Sequence, residues 1–172
     1  MKKKCKNCKQ EFTPFRSTLQ KYCMERPECV EIFVSESKAK QWKKKKSEMK
    51  KELMTLSDYM SVLQVIFNKW IRKRDEGKMC ISCGNMIAKR DAGHFFSVGN
   101  YPSVRFDEDN THSQCVHCNQ YRGGNIHEYK RWLIVRIGQE RVDALEKRAH
   151  ESRKYSIPEI KELIEKYKSL LK

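Results

Sequence analysis

Residues 91–119 read DAGHFFSVGNYPSVRFDEDNTHSQCVHCN, and the fold of the chain turns on how this stretch is closed. It ends in a CxxC pair, Cys115 and Cys118, and a second such pair, Cys80 and Cys83, stands shortly before it. Each pair offers two sulfurs from one tight turn, and Gly84 suits the left-handed residue that often follows such a turn. Together the four thiolates complete a tetrahedral, redox-inert zinc site. His117 lies inside the second pair, but four sulfurs already fill the shell, so it is expected at the surface.

A zinc site alone does not require the polar residues between its ligands. AGHFFSV favours extended structure through Phe95, Phe96 and Val98. GNYPS breaks it, and RFDEDNTHSQC returns toward the second pair. His94, Asn110 and Asn119 therefore fall on strand, strand and helix, held at both ends by one ion.

Upstream, Cys5, Cys8, Cys23 and Cys29 form a second set of four, predicting an N-terminal zinc-ribbon-like finger over 1–34 with Phe12 and Phe15 as its small core. SKAKQWKKKKSEMKKELM follows, rich in helix formers and too one-sidedly charged to be buried. This gives a basic helical linker over 35–56 that is expected to lie near DNA through Lys43, Lys44, Lys45 and Lys46. From Ser57, as N-cap, Tyr59, Leu63, Ile66, Phe67 and Trp70 recur at helical spacing until Gly77. Past the second cysteine set, Asn125 and Glu128 predict a capping box for a helix closed by Gly138. Ser156 and Glu159, with Pro158, predict another. The expected class is α+β and mostly helical, with residues 57–172 as the main domain.

The composition constrains the partner. The 172 residues carry a formal charge of +15, 34% charged residues and eight cysteines. Mean hydropathy is −0.84, so a large apolar core is excluded and metal staples are expected. Eight thiolates and two dications would together lower the charge by only about four. The remaining excess points to a polyanion, with nucleic acid first. No stretch approaches membrane-spanning length, and CKNCKQEF after MKKK is not a signal-peptide core. A reducing cytosol is therefore expected, where closely spaced cysteines bind metal.

The GH-containing strand, the Asn five residues before a CxxC, and the Asn after it followed by QYRG resemble the ββα-metal, or HNH, nuclease fold. Through DAGHF, RFDEDNTHSQCVHCN and GGNIHEYKRWL the chain is more closely similar to the NinG (Rap) recombination proteins of lambdoid phages, from the first cysteines to the last helix. That resemblance implies a zinc-stabilised ββα-metal core and a metal-dependent endonuclease acting on branched recombination DNA, including Holliday junctions and D-loops. It also implies a phage or prophage gene acting in the bacterial cytoplasm.

Phosphodiester cleavage needs an activated water, a Lewis acid and stabilisation of the leaving oxygen. His94 is the expected general base, since imidazole titrates near neutrality. The resemblance makes Asn119 an oxygen ligand of one Mg²⁺ or Mn²⁺, and Asn110 the residue that pins the loop and orients the strand. Arg105 and Arg122 are candidates to grip phosphate, the latter beside Gly123 and Gly124. Many HNH enzymes carry Asp or His immediately before the base as second ligand, but here that position is Gly93. Asp91 shares its strand parity at a displacement of about 6.6 Å. His112 is the rival on the returning strand, and His127 a third candidate. Symmetric junction cleavage would require a dimer; the helices expected in 141–172 either serve it or simply cap the core. The competing reading is a non-enzymatic zinc protein that binds nucleic acid.

Overall fold

A computed structural model describes residues 2–15 and 19–172. It divides into two compact units, Met1–Met54 and Thr55–Lys172. Among the described residues no helix is long and apolar enough to cross a membrane.

The first unit is a finger running into a long helix. Strands β1 (Lys3–Lys4) and β2 (Glu11–Phe12) pair antiparallel, Lys3 opposite Phe12. Helix α1 (Pro27–Glu52) takes Cys29 into its first turn, so the 34/35 boundary expected from sequence lies inside one continuous helix. The Tyr22 hydroxyl donates to Glu36 Oε1 at 2.7 Å, tying the finger to the third turn of that helix. The small core is Phe12 and Tyr22 with the cysteines, and Ile32 packed against them. Phe15 is not part of it. The ring is 89% exposed, because Phe15 follows the end of β2 and no longer shares the inward side of Phe12.

In the second unit the β-hairpin is held between two helical layers. Helix α2 (Leu56–Arg74) starts two residues earlier than expected. Thr55 is its N-cap, accepting from the Asp58 N–H while Asp58 accepts from the Thr55 N–H. Ser57 lies inside the helix. Strands β3 (Arg90–His94) and β4 (Thr111–Cys115) pair antiparallel, with Asp91 opposite Gln114, Gly93 opposite His112 and His94 opposite Thr111. A 3₁₀ turn, Pro102–Val104, lies in the connection, and a single π-helical turn, His117–Tyr121, follows β4. Helices α3 (Ile126–Ile137), α4 (Gln139–Ala149) and α5 (Ile157–Leu170) complete the unit.

Leu63, Phe67 and Ile71 of α2 bury against Ile160, Ile164 and Tyr167 of α5, with Ala92 of β3 at the same core. Tyr129 and Leu133 of α3 bury against Val142 and Leu145 of α4, with Ile81, Phe95 and Val104. Each core holds several fully buried aliphatic or aromatic side chains, each contributing roughly 1.5–3 kcal/mol. Ser156 and Glu159 form the expected capping box. Asn125 does not: its φ is +46° and its side chain makes no cap bond. The left-handed residue instead redirects the chain out of Gly123–Gly124, and the amide turns to the Cys118 sulfur at 3.8 Å.

The hairpin is fastened to α2 through Asp75, whose carboxylate has no solvent exposure. The Ser113 N–H donates to it at 2.9 Å, and Arg74 and Lys78 each approach to 2.9 Å. Burial alone would raise its pKa, but His112, Arg74, Lys78 and the Ser113 amide hold it far below the usual carboxylate range.

Candidate functional site

Cys80, Cys83, Cys115 and Cys118 bring their sulfurs within 4.8 Å of one another, and so do Cys5, Cys8, Cys23 and Cys29. Tetrahedral zinc with Zn–S of about 2.3 Å places its sulfurs about 3.8 Å apart. The Cys5–Cys29, Cys8–Cys23 and Cys83–Cys115 pairs stand at 3.7 Å. Backbone N–H groups also point at sulfur, from Cys23 to Cys5 at 3.3 Å and from Cys115 to Cys80 at 3.2 Å. Burial pushes the Cys80 thiol up, yet amides of Cys115, Cys83 and Ser82 bring it down to about 7. Donor number, spacing and anion-favouring amides all fit structural zinc. Gly84 takes φ +71° after its knuckle, and His117 is exposed.

The second site closes the hairpin, and beside it lies a cleft of about 500 Å³ lined by His94, Asn119, Gly123 and Gly124 among others. His94 ends β3 with its Nε2 3.1 Å from the Arg105 carbonyl oxygen. A carbonyl only accepts, so the Nε2 carries the proton and the Nδ1 lone pair is left for chemistry. Desolvation lowers the His94 pKa, opposed by that carbonyl, so the ring is neutral at pH 7.

Asn110 is fully buried. Its Oδ1 accepts from the Phe96 N–H at 2.7 Å, and its Nδ2 donates to Phe96 O at 3.1 Å and Val104 O at 3.0 Å. One amide thus ties both ends of the loop that follows His94. Asn119 sits in the π-helical turn and donates through Nδ2 to Asp91 Oδ2 at 3.1 Å, and Gln120 donates to the same oxygen at 2.8 Å. The contact fixes which way the amide faces, with nitrogen on Asp91 and Oδ1 turned away.

Three expectations change. His112 lies opposite Gly93, so its side chain is on the other face of the hairpin from His94. It is 3% exposed, with Nδ1 3.1 Å from Arg74 Nη2 and Nε2 3.1 Å from the Asp109 carbonyl oxygen. Both nitrogens are committed, so His112 is a structural link and not a metal ligand. His127 is exposed in the first turn of α3 and outside the cleft lining. Arg105 is turned back into the protein, donating through Nε to Gln64 Oε1 at 2.7 Å, whereas Arg122 is exposed beside the Gly-Gly turn. Lys43 to Lys46 are exposed on α1.

The space in front of Gly93 is filled from across the hairpin. A Cβ at residue 93 would run into Gln114 Oε1. Gln114 is fully buried, and its Nε2 donates to Ser82 Oγ at 2.7 Å and to the Gly124 carbonyl. Sequence reading missed Gln114, Asp75 and Tyr129, whose hydroxyl donates to Gly93 O at 2.9 Å. Nothing in THSQC, whose first four residues are all polar, singled out the first.

Two four-cysteine clusters able to hold structural zinc, and a hairpin closed by one of them, define a mixed α/β protein. Its whole length, residues 1–172, matches the family model described as bacteriophage lambda NinG protein. The chain belongs to the NinG family of lambdoid phage proteins. It is 35% identical to protein ninG of Escherichia phage 933W over 190 aligned residues, covering 99% of this chain and 92% of that protein. The same coverage and identity hold for protein ninG of Escherichia phage lambda over 192 residues. Protein ninG of Salmonella phage P22 is 34% identical over 192, covering 99% of this chain and 93% of that protein. No solved structure matches.

Proposed function

We propose that the chain is a metal-dependent DNA endonuclease of the ββα-metal type, acting on branched recombination intermediates such as Holliday junctions and D-loops in the cytoplasm of the bacterial host. The observation that carries this reading is the placement of His94 and Asn119 on one cleft, the former with Nε2–H tied to the Arg105 carbonyl. In this scheme His94 Nδ1 takes a proton from water, and the oxygen attacks phosphorus in line with the departing 3′ oxygen. Asn110 holds the loop so that the imidazole cannot swing. Asp91 keeps Asn119 Oδ1 directed away from itself and available as a hard oxygen donor.

That donor chemistry suits Mg²⁺ or Mn²⁺, with water and phosphate oxygens making up the remaining shell. Such an ion, when bound, supplies charge to the phosphate and to the leaving oxygen. Arg122, exposed beside the flexible Gly-Gly turn, is placed to meet a phosphate. Two copies of the chain would be needed to cut both strands of a junction symmetrically.

The second reading is a nucleic-acid-binding accessory without enzymatic activity. Gly93 favours it, because the position that bears a ligand in many HNH enzymes is here given over to Gln114. A synthetic four-way junction and a linear duplex, each incubated with purified protein and Mg²⁺ or Mn²⁺, separate the two. Metal-dependent scission lost in His94→Ala supports the nuclease. Binding with no scission under either metal supports the accessory.

A further inference from the structure

Helix α1 extends well past the finger that starts it. Its 26 residues span about 39 Å, and every residue from 38 to 50 is exposed. A helix with no apolar face to bury draws little stability from packing. This one also stacks like charges three and four residues apart, Lys40 with Lys43 and Lys44, and Lys43 with Lys46, each pair destabilising by a few tenths of a kcal/mol. Among the described side chains of 38–50, the one ion pair is Lys44 with Glu48 at 3.9 Å. The stretch therefore gains stability from an external anion.

In its middle stands Trp42, 61% exposed. The neighbours on its own side of the helix, three and four residues away, are Lys38, Ala39, Lys45 and Lys46. An exposed aromatic side chain with lysines at helical spacing on either side is the pairing that unpaired nucleotides bind, a base on the ring and phosphates on the cations. We infer that α1 is a docking surface for nucleic acid with unpaired bases. One base stacks on Trp42, and Lys38, Lys45 and Lys46 neutralise the adjoining phosphates. A paired duplex offers the phosphates but keeps its base faces inside the stack. An anionic membrane would need an apolar face around the ring, and three of the four residues three and four positions away are lysines. A second copy would bring one lysine-rich helix against another. The inference is independent of cleavage, since a chain that cuts nothing would still bind in this way.

The test uses the full zinc-loaded chain in a His94→Ala background without added divalent metal, so that no probe is cut. Fluorescence anisotropy is read with labelled oligothymidylate of about 16 nucleotides and with a duplex of equal length. Trp42→Ala is expected to weaken oligothymidylate binding about tenfold, the loss of one stacked base, and duplex binding less than twofold. Trp42→Phe should keep most of the affinity. Lys38, Lys45 and Lys46 changed together to Gln should weaken both probes and flatten the oligothymidylate salt slope by about 2. Trp42→Ala binding oligothymidylate within twofold of its parent overturns the inference. So does a Trp42→Ala defect seen only with anionic vesicles, or only in self-association by sedimentation.

Discussion

The two cysteine sets use one ligand chemistry for two different purposes. In the finger, the segment between ligands contributes Phe12 and Tyr22 to a small core, and Cys29 hands the chain straight into α1. In the second unit, the segment between ligands is the β3–β4 hairpin, which carries His94 and Asn110, and Asn119 follows the last ligand. Sulfur spacing is alike in both, at 3.7 Å. The ligands show only that a segment is held fast; the side chains inside the segment show what the holding is for.

The sharpest way to break that contrast is to remove one sulfur from each site. A structural zinc contributes on the order of 10 kcal/mol of folding energy, comparable with a whole domain's stability. Cys118→Ser is therefore expected to unfold the second unit, seen as loss of cooperative thermal melting and of one zinc per chain by elemental analysis. Cys8→Ser should lose one zinc as well, but leave the second unit's melting intact. Loss of both ions in Cys8→Ser would mean that the two sites are not separate.

Next in size is His94→Ala, expected to slow junction cleavage by about 10²–10⁴ with zinc content and melting temperature unchanged. Burial holds the His94 pKa below its ordinary value. The neutral base should persist through pH 7, and the rate should fall only as acid drives pH down through that lowered pKa. A rate that keeps climbing well above pH 7 would contradict the assignment of this imidazole as the base.

Asn110→Ala removes three bonds inside the protein and strands their partners. A cost of roughly 3 kcal/mol is expected in urea unfolding. Gly93→Ala drives a methyl into Gln114 and should cost about 1–3 kcal/mol, recovered only in part when Gln114→Ala is added, because the Cβ of residue 114 itself would lie 2.8 Å from the new methyl. No recovery in the double variant would show that the glycine serves the backbone alone. At the bottom of the scale, Phe15→Ser in the finger should change stability by less than about 0.5 kcal/mol.

The helices and both four-cysteine clusters were legible because their signals are local: a knuckle is four residues, and an amphipathic turn is hardly longer. The positions of Asn110 and Asn119 beside the second cluster were legible because their spacing from Cys115 and Cys118 is fixed in the chain, while the roles given to them rest on the resemblance. What escaped depended on register. The pairing of Gly93 with His112 sends the histidine to the far face, and nothing in NTHSQ reveals which residue stands opposite. The same holds for Gln114 filling the space at Gly93, a contact across strands with no sequence pattern of its own. Phe15 misled because aromatic content was read without the parity that ends with β2. Asn125 misled because a capping residue and a left-handed residue share the same side-chain preference.

Asp75 carries a consequence for how the second unit assembles. Its carboxylate can leave water only when the end of α2, the Ser113 amide and His112 arrive around it together. A half-docked hairpin would strand a dehydrated anion, so intermediate placements are penalised and attachment of the strands to α2 becomes all-or-none. Hydrogen exchange should accordingly report a single opening event for the Ser113 amide and the last turn of α2, with no state in which one is protected and the other free.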